Sequence, residues 1–275
     1  MFLPARTVLA AVDGSEPASR AAGWAAAEAA SLRASLQLVR FYEAESRRSQ
    51  AEESVRAIAG DCRIADPELH VRARAIRGDP ARELVARSRE ASLLVLGSRG
   101  HGAVHDVLLG SVSAAAASGA GCPAVVVRGT GSAGPGPVVV GLDLSPESRP
   151  ALHFAFDSAD RRDRELLVVQ ALPEAYFLPS VLGDPQRRSI QEEAESRIGA
   201  QLTVWQEHYP EVRVRRIATD QHPVEALCEQ AEGARLLVVG HRSQRGPRLG
   251  SVALGALHRA PCPVAVVGDH VGPSW

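Results

Sequence analysis

Leu93-Leu-Val-Leu-Gly97-Ser-Arg-Gly100-His-Gly102, continuing to Gly110-Ser111 and the run Ala114 to Ala117, is the stretch that decides the fold. Leu93–Leu96 is short, apolar and closed by a glycine, as expected of a strand covered on both faces. Ser111–Ser118 reads as a helix whose small side chains let it pack close to a sheet. Between strand and helix, the glycines recur as G-x-x-G, nine residues, then G-S. Gly97 and Gly100 permit a sharp turn and close backbone approach to a ligand. Gly110-Ser111 places N–H groups and a hydroxyl at a helix start, where anions are favoured. A lone G-x-x-G is more often a turn than a site, so the surroundings have to carry the assignment.

Working outward, Val8–Val12, Leu36–Phe41, His70–Ile76 and Ala124–Val127 are further short apolar runs. Glu16–Leu32, Glu45–Ile58 and Pro80–Arg89 show helical patterns between them, with Pro17 and Pro80 in first-turn positions that tolerate proline. Alternation of this kind implies right-handed crossovers and a parallel, doubly wound sheet. In such sheets ligands sit beyond the C-terminal strand ends, where the strand order reverses. Asp13 closes the first strand there, with Val12 before it and Gly14-Ser15 after it. A carboxylate at that point can accept vicinal ribose hydroxyls; read blandly, Asp13 is a helix cap and Ser111 another.

The same landmarks return in order. Val138-Val-Val-Gly-Leu-Asp143-Leu-Ser145 answers Thr7 to Ser15, and Gln221-His-Pro223 answers Gly78-Asp-Pro80. Leu236-Leu-Val-Val-Gly240 answers Leu93 to Gly97, and Pro261-Cys-Pro263 answers Gly121-Cys-Pro123. This is a tandem duplication. Strands are expected at Val138–Leu142, Leu166–Ala171, Val212–Ile217, Leu236–Val239 and Val264–Val267. The second half is longer in its second helical region, where Pro185–His208 reads as an amphipathic helix with Ile190, Ala194, Ile198, Leu202 and Trp205 on one face. The expected architecture is α/β: two tandem doubly wound domains, each a five-stranded parallel sheet flanked by helices. Residues 1–129 form the first, the Gly/Pro-rich 130–137 a linker, and 138–275 the second.

Composition narrows the chemistry. The 275 residues carry a formal net charge of −1, so no general attraction to nucleic acid or anionic membrane is expected. No run approaches the roughly 18 apolar residues of a membrane span, and the N-terminus lacks a signal-peptide pattern. The sequence contains no lysine, which removes Schiff-base and lysine-dependent phosphate chemistry. Cys62, Cys122, Cys228 and Cys262 form no C-x-x-C pair and fit a reducing, cytoplasmic setting. Cys122 and Cys262, each just before a proline, read as small buried residues. His101 and His105 lie four apart in a glycine-rich loop, flanking Gly-Ala-Val with no Glu and no nearby Cys, a poor metal site.

Each half resembles the universal stress protein family, and the whole chain resembles a tandem member. The family motif G-x2-G-x9-G-[ST] is matched in full by Gly97, Gly100, Gly110 and Ser111. The resemblance implies ATP, with or without Mg²⁺, as ligand. It implies a ribose contact at Asp13 and Gly97, adenine near the Phe41 backbone, and phosphates at Ser111 and Val112, with Val12 beside them. It also implies pairing of the two halves through their last strands, Ala124–Val127 and Val264–Val267. Our own reading of phosphate recognition uses the backbone N–H groups of Gly100, Gly110, Ser111 and Val112, with Arg99 adding only long-range attraction.

The second half keeps Asp143 and Gly240, replaces the second glycine with Ser243, and reaches Gly250-Ser251 three residues early. Its loop holds Arg242, Arg245 and Arg248, so anion attraction survives in a degenerate motif. The expected function is a nucleotide-dependent stress-response sensor or regulator. The alternatives are a weak ATPase or phosphotransferase using the same pocket, and a ligand-free pairing module. No general base is visibly placed for turnover. A homodimer of whole chains is compatible with the sequence but not demanded by it.

Overall fold

A computed structural model describes residues 6–98, 109–128, 134–172, 184–241 and 249–269. Its first half runs β1 (Thr7–Ala11), α1 (Glu16–Leu32), β2 (Ser35–Tyr42), α2 (Arg48–Ala65), β3 (Val71–Arg77), α3 (Pro80–Ser88), β4 (Leu93–Gly97), α4 (Ser111–Gly119) and β5 (Ala124–Val127). The second half runs β6 (Val138–Gly141), α5 (Arg149–Asp160), β7 (Leu166–Ala171), α6 (Asp184–His208), β8 (Val214–Thr219), α7 (Pro223–Gln230), β9 (Leu236–His241), α8 (Ser251–Arg259) and β10 (Val264–Gly268). Among the described residues, no helix is long and apolar enough to cross a membrane.

The strands form one sheet in the order β3-β2-β1-β4-β5-β10-β9-β6-β7-β8. Every pairing is parallel except at its centre. There β5 and β10 run antiparallel, with Val264 opposite Val126, Ala265 opposite Val125 and Val266 opposite Ala124. The order reverses between β1 and β4 in the first half and between β6 and β9 in the second. The core follows the sheet across the join. Val125, Val138, Ala265 and Val267 share one apolar layer with α1 and α5, and Ala124, Val126, Val264 and Val266 share the other with α4 and α8.

Several expectations need correction. The strands are expected to be mostly buried on both faces, but β3 buries only Val71 and β8 only Ala218. They are the two outer strands of the sheet. The helix expected over Glu45–Ile58 begins with a short 3₁₀ turn and continues to Ala65. Ala51, Val55, Ala59 and Cys62 keep its inner face buried through that extension, so the apolar register outlasts the sequence's local signal. The strand expected at Val212–Ile217 runs Val214–Thr219 instead. The glycines at the end of the linker serve close packing: a Cβ on Gly134 would lie 2.7 Å from the Gly233 carbonyl oxygen, and one on Gly136 closer still.

Cys122 and Cys262 are buried, and desolvation pushes both thiols up to about 12. They stay protonated and unreactive at neutral pH. In the second half, α6 brings Trp205 to 5.4 Å from the ring of His153 on α5, with Tyr209 at 6.3 Å. Desolvation and His208 hold His153 below the usual histidine range, against the pull of Asp157. The unfolded chain takes up this proton near pH 6.5 and the folded chain only at lower pH. The contribution of His153 to stability is therefore full above pH 6.5 and is lost as pH drops through the window beneath it. Urea midpoints at pH 7.5, 6.5 and 5.5 should decline less in His153→Phe than in the parent chain. Equal slopes would remove His153 from the acid response.

Candidate functional site

Pairing of Val8 with Leu93, Leu9 with Leu94 and Ala10 with Val95 places Asp13, just past β1, and Gly97, at the end of β4, on one sheet edge. Asp13 Oδ1 accepts the Ser15 N–H at 2.9 Å, and Ser15 Oγ accepts the Ala18 N–H at 3.3 Å, capping α1. The turn between them needs a left-handed residue, and Gly14 has φ 88°. Val12 is buried and donates its N–H to the Val39 carbonyl at 2.9 Å. So Asp13 builds the turn, and Ser15, not Asp13, caps the helix.

Two hydrogen bonds then tie α4 to the end of β4. Ser113 Oγ donates to the Gly97 carbonyl at 2.7 Å, and the Gly110 N–H donates to the Ser98 carbonyl at 2.9 Å. The second bond corrects the phosphate-binding expectation, because the Gly110 N–H is already engaged. Gly110 itself is the N-cap, at φ −66°, ψ 143°. What remains at the helix start is the N–H groups of Ser111 and Val112 and the Ser111 hydroxyl. Both residues are exposed, Val112 at 37%. Arg99 and Gly100, with His101 and His105, lie outside the described residues.

Gly97 also has a packing role that its sequence context does not show. A Cβ there would stand 3.2 Å from the Pro17 carbonyl carbon and oxygen and from the Ala18 nitrogen. Its smallness seats the start of α1 against β4. Gly240, its counterpart, would place a Cβ no closer than 3.8 Å, against Ala151. Gly97→Ala should therefore cost about 1–3 kcal/mol through overpacking, and Gly240→Ala about 0.5 kcal/mol or less. Urea unfolding of the two variants checks this, and equal effects would contradict it.

The second half builds the same edge differently. Asp143 Oδ1 accepts the Ser145 N–H at 3.0 Å and the Ser145 hydroxyl at 2.6 Å. That hydroxyl makes no cap bond, and a 3₁₀ turn precedes α5. Leu144 occupies the place of Gly14, at φ 59°. A cavity of about 180 Å³ opens here, lined by Asp143, Ser145, Val169, Leu227, Gly240 and the buried His241, among others. Gly250 caps α8, and Ser251 is exposed at its first turn. Arg242, Ser243, Arg245 and Arg248 lie outside the described residues.

The profile described as "Universal stress protein family" matches residues 4–128 and again 136–268. The chain belongs to the universal stress protein family. Universal stress protein Rv2005c of Mycobacterium tuberculosis is 34% identical over 286 aligned positions, covering 94% of this chain and 96% of the relative. A universal stress protein of Mycolicibacterium smegmatis is 32% identical over 284 positions, covering 94% of this chain and 96% of the relative. Among solved structures, a universal stress protein from Archaeoglobus fulgidus superposes with a TM-score of 0.66 at 19% identity, covering 96% of this chain and 98% of that one. At that identity it shows the fold alone. With two universal stress protein domains and an α/β sheet flanked by helices, the chain has the architecture that its repeat implied.

Sequence reading missed three features of these edges. Ser113, two residues past the G-S pair, anchors the Gly97 carbonyl; its counterpart Ala253 cannot. Arg40, just before Phe41, lies over the Asp13 turn: its guanidinium donates to Ser54 Oγ and would be 2.7 Å from a Cβ on Gly14. A charged residue near the end of an apolar strand was the available signal. Arg40, Phe41 and Tyr42 line a cavity of about 430 Å³ together with Arg47, Gly78 and Pro80. The half-two cavity was the third, since its walls come from strands and helices far apart in sequence. Among the described residues, no three His, Cys, Asp or Glu side chains are grouped to hold a metal ion.

Proposed function

We propose that this universal stress protein binds ATP in its first half and acts as a nucleotide-dependent regulator in a stress response. One observation carries the reading: the Asp13 turn and the Ser111 helix start converge on the sheet edge where the strand order reverses between β1 and β4. The residues fit the ligand. A carboxylate offers about four acceptor sites, so Asp13 can take a ribose hydroxyl alongside the Ser15 N–H. Ser111 and Val112 present N–H groups at the positive end of α4. Arg40 adds a cation that the sequence reading did not include. Mg²⁺ would be carried by the phosphates, with Asp13 the carboxylate at this edge.

In this reading Asp143, Gly240, Gly250 and Ser251 form a weaker second site, with a shorter loop and no partner for Ser113. The β5–β10 ladder supports pairing of the halves within one chain, which protects two apolar strand edges. Dimerisation of whole chains is not needed for that. Mass spectrometry of nucleotide released from freshly purified protein tests the proposal. Adenine nucleotide at about one per chain is expected. Its absence, together with no thermal shift on adding ATP, would favour the ligand-free pairing module. Phosphate release well above that of a Gly110→Val chain would favour the ATPase reading.

A further inference from the structure

The sheet end opposite the candidate nucleotide site gathers four guanidiniums. β6, β7 and β9 begin side by side there, with Val138 opposite both Leu166 and Leu236. The Arg235 N–H donates to the Pro137 carbonyl at 3.0 Å and the Val138 N–H to the Glu165 carbonyl at 2.9 Å. These bonds hold the turn before β7 and the turn before β9 against the same strand. Arg161, Arg162 and Arg164 come from the first turn and Arg235 from the second. Glu28 of α1, 3% exposed, reaches in from the first half.

The charges do not balance. Glu28 Oε1 pairs with Arg161 Nη1 at 3.1 Å, and Glu28 Oε2 pairs with Arg162 Nη2. Arg161 Nε also pairs with Asp157 at 2.9 Å. Among the described residues no carboxylate pairs with Arg164 or Arg235. The adjacent Glu165 is turned toward Arg215, at 3.8 Å. Two guanidinium nitrogens are buried without any hydrogen-bond partner, Arg162 Nη1 and Arg164 Nε, and the Arg162 side chain is only 9% exposed. An unmet buried donor on a charged group is among the costliest polar defects a protein carries. Burial, with repulsion from Arg235 and Arg161, pushes the Arg162 guanidinium down to about 10. Arg235 is lowered too, by burial and then by Arg164 and Arg161, against the pull of Glu28.

We propose that this junction is a binding site for a small tetrahedral oxyanion of the inorganic phosphate or sulfate class, held by Arg162 Nη1 and Arg164 Nε with Arg235 as a third positive charge. Water would satisfy the donors and leave the repulsion. An oxyanion answers both, and its spread oxygens suit guanidinium N–H groups better than a spherical ion does. Arg164 and Arg235 are themselves partly exposed, while the two donor nitrogens are buried, so an entering oxyanion has to displace the side chains that cover them. The site is independent of nucleotide binding: it lies at the other end of the strands and shares no residue with the Asp13 edge.

The test is the unfolding temperature of the full chain titrated with inorganic phosphate, against chloride at matched ionic strength and pH. A saturable rise specific to phosphate is expected. Arg164→Gln/Arg235→Gln should weaken the titrated affinity at least tenfold, while Gly110→Val should keep it. Should the double variant fail to fold, Arg164→Gln alone and broadening of the phosphate ³¹P resonance by the parent chain give the same readout. A non-saturating rise, shared equally by parent and double variant, is a general salt effect and overturns the proposal. A saturable rise lost in Gly110→Val but kept in the double variant overturns it too, because phosphate then sits at the nucleotide edge.

Discussion

A chain carrying Gly110→Val is expected to gain no thermal stability from ATP. The parent chain, with ligand at about 100 times its dissociation constant, should gain roughly 2.7 kcal/mol. Gly110 is at φ −66°, where any residue is at ease, so valine imposes no strained backbone. Its effect comes from branched carbons that crowd the approach to the Ser111 and Val112 N–H groups. Asp13→Ala should remove the shift as well, by loss of the turn bond to Ser15 and of the ribose acceptor. Arg99→Ala should weaken binding by only about 1 kcal/mol, the scale of an exposed charge contact. The matching changes Gly250→Val and Asp143→Ala should leave the tightest site in place. A Cβ on Gly250 meets nothing within 4 Å, so that control should fold normally. Loss of the tightest site in the half-two variants, with its survival in Gly110→Val, would reverse the assignment of the halves.

Glu28→Ala is expected to destabilise the whole chain by about 3–5 kcal/mol, the usual cost of removing one partner from a buried ion pair. Its carboxylate, nearly inaccessible, accepts from Arg161 and Arg162, which come from the other half of the chain. Without it Arg162 keeps its burial and loses its anion, and Arg161 is left with Asp157 alone. Glu28→Gln retains an acceptor without the charge and should fall between the two. A second contact spans the halves on the opposite sheet face. There Arg128, just past β5, donates to the carbonyls of Leu257, His258 and Ala260 at the end of α8, and it should be less sensitive because it is only partly buried. Chemical denaturation of Glu28→Ala, Glu28→Gln and the parent chain gives the comparison. A loss under about 1 kcal/mol for Glu28→Ala would show that Glu28 does not hold the halves together.

Much of the fold was legible because it rests on local patterns. Glu16–Leu32 is a helix with the expected bounds, since Ser15 and Pro17 mark its start and an apolar face runs its full length. Ala124–Val127 and Leu166–Ala171 are likewise strands as read, being short apolar runs with turn residues on each side. The candidate site was legible as a set of residues, since Asp13, Gly97, Gly110 and Ser111 announce themselves by type and spacing.

What each residue does there depended on neighbours distant in sequence. The Gly97 position belongs to the backbone of Pro17 and Ala18, and the Gly110 N–H belongs to Ser98. Arg40 reaches the site from a neighbouring strand, and Glu28 meets Arg161 and Arg162 only because β5 and β10 join the halves into one sheet. The sequence by itself determined the repeat, the alternation of strands and helices, and the residues that gather at the candidate edge, because periodicity and turn chemistry act over a few residues. Only the tertiary structure decided which N–H groups are already bonded, which glycines are there for packing, and where guanidiniums crowd without enough carboxylates. Those depend on close approach between chain segments, and a linear pattern carries no distances.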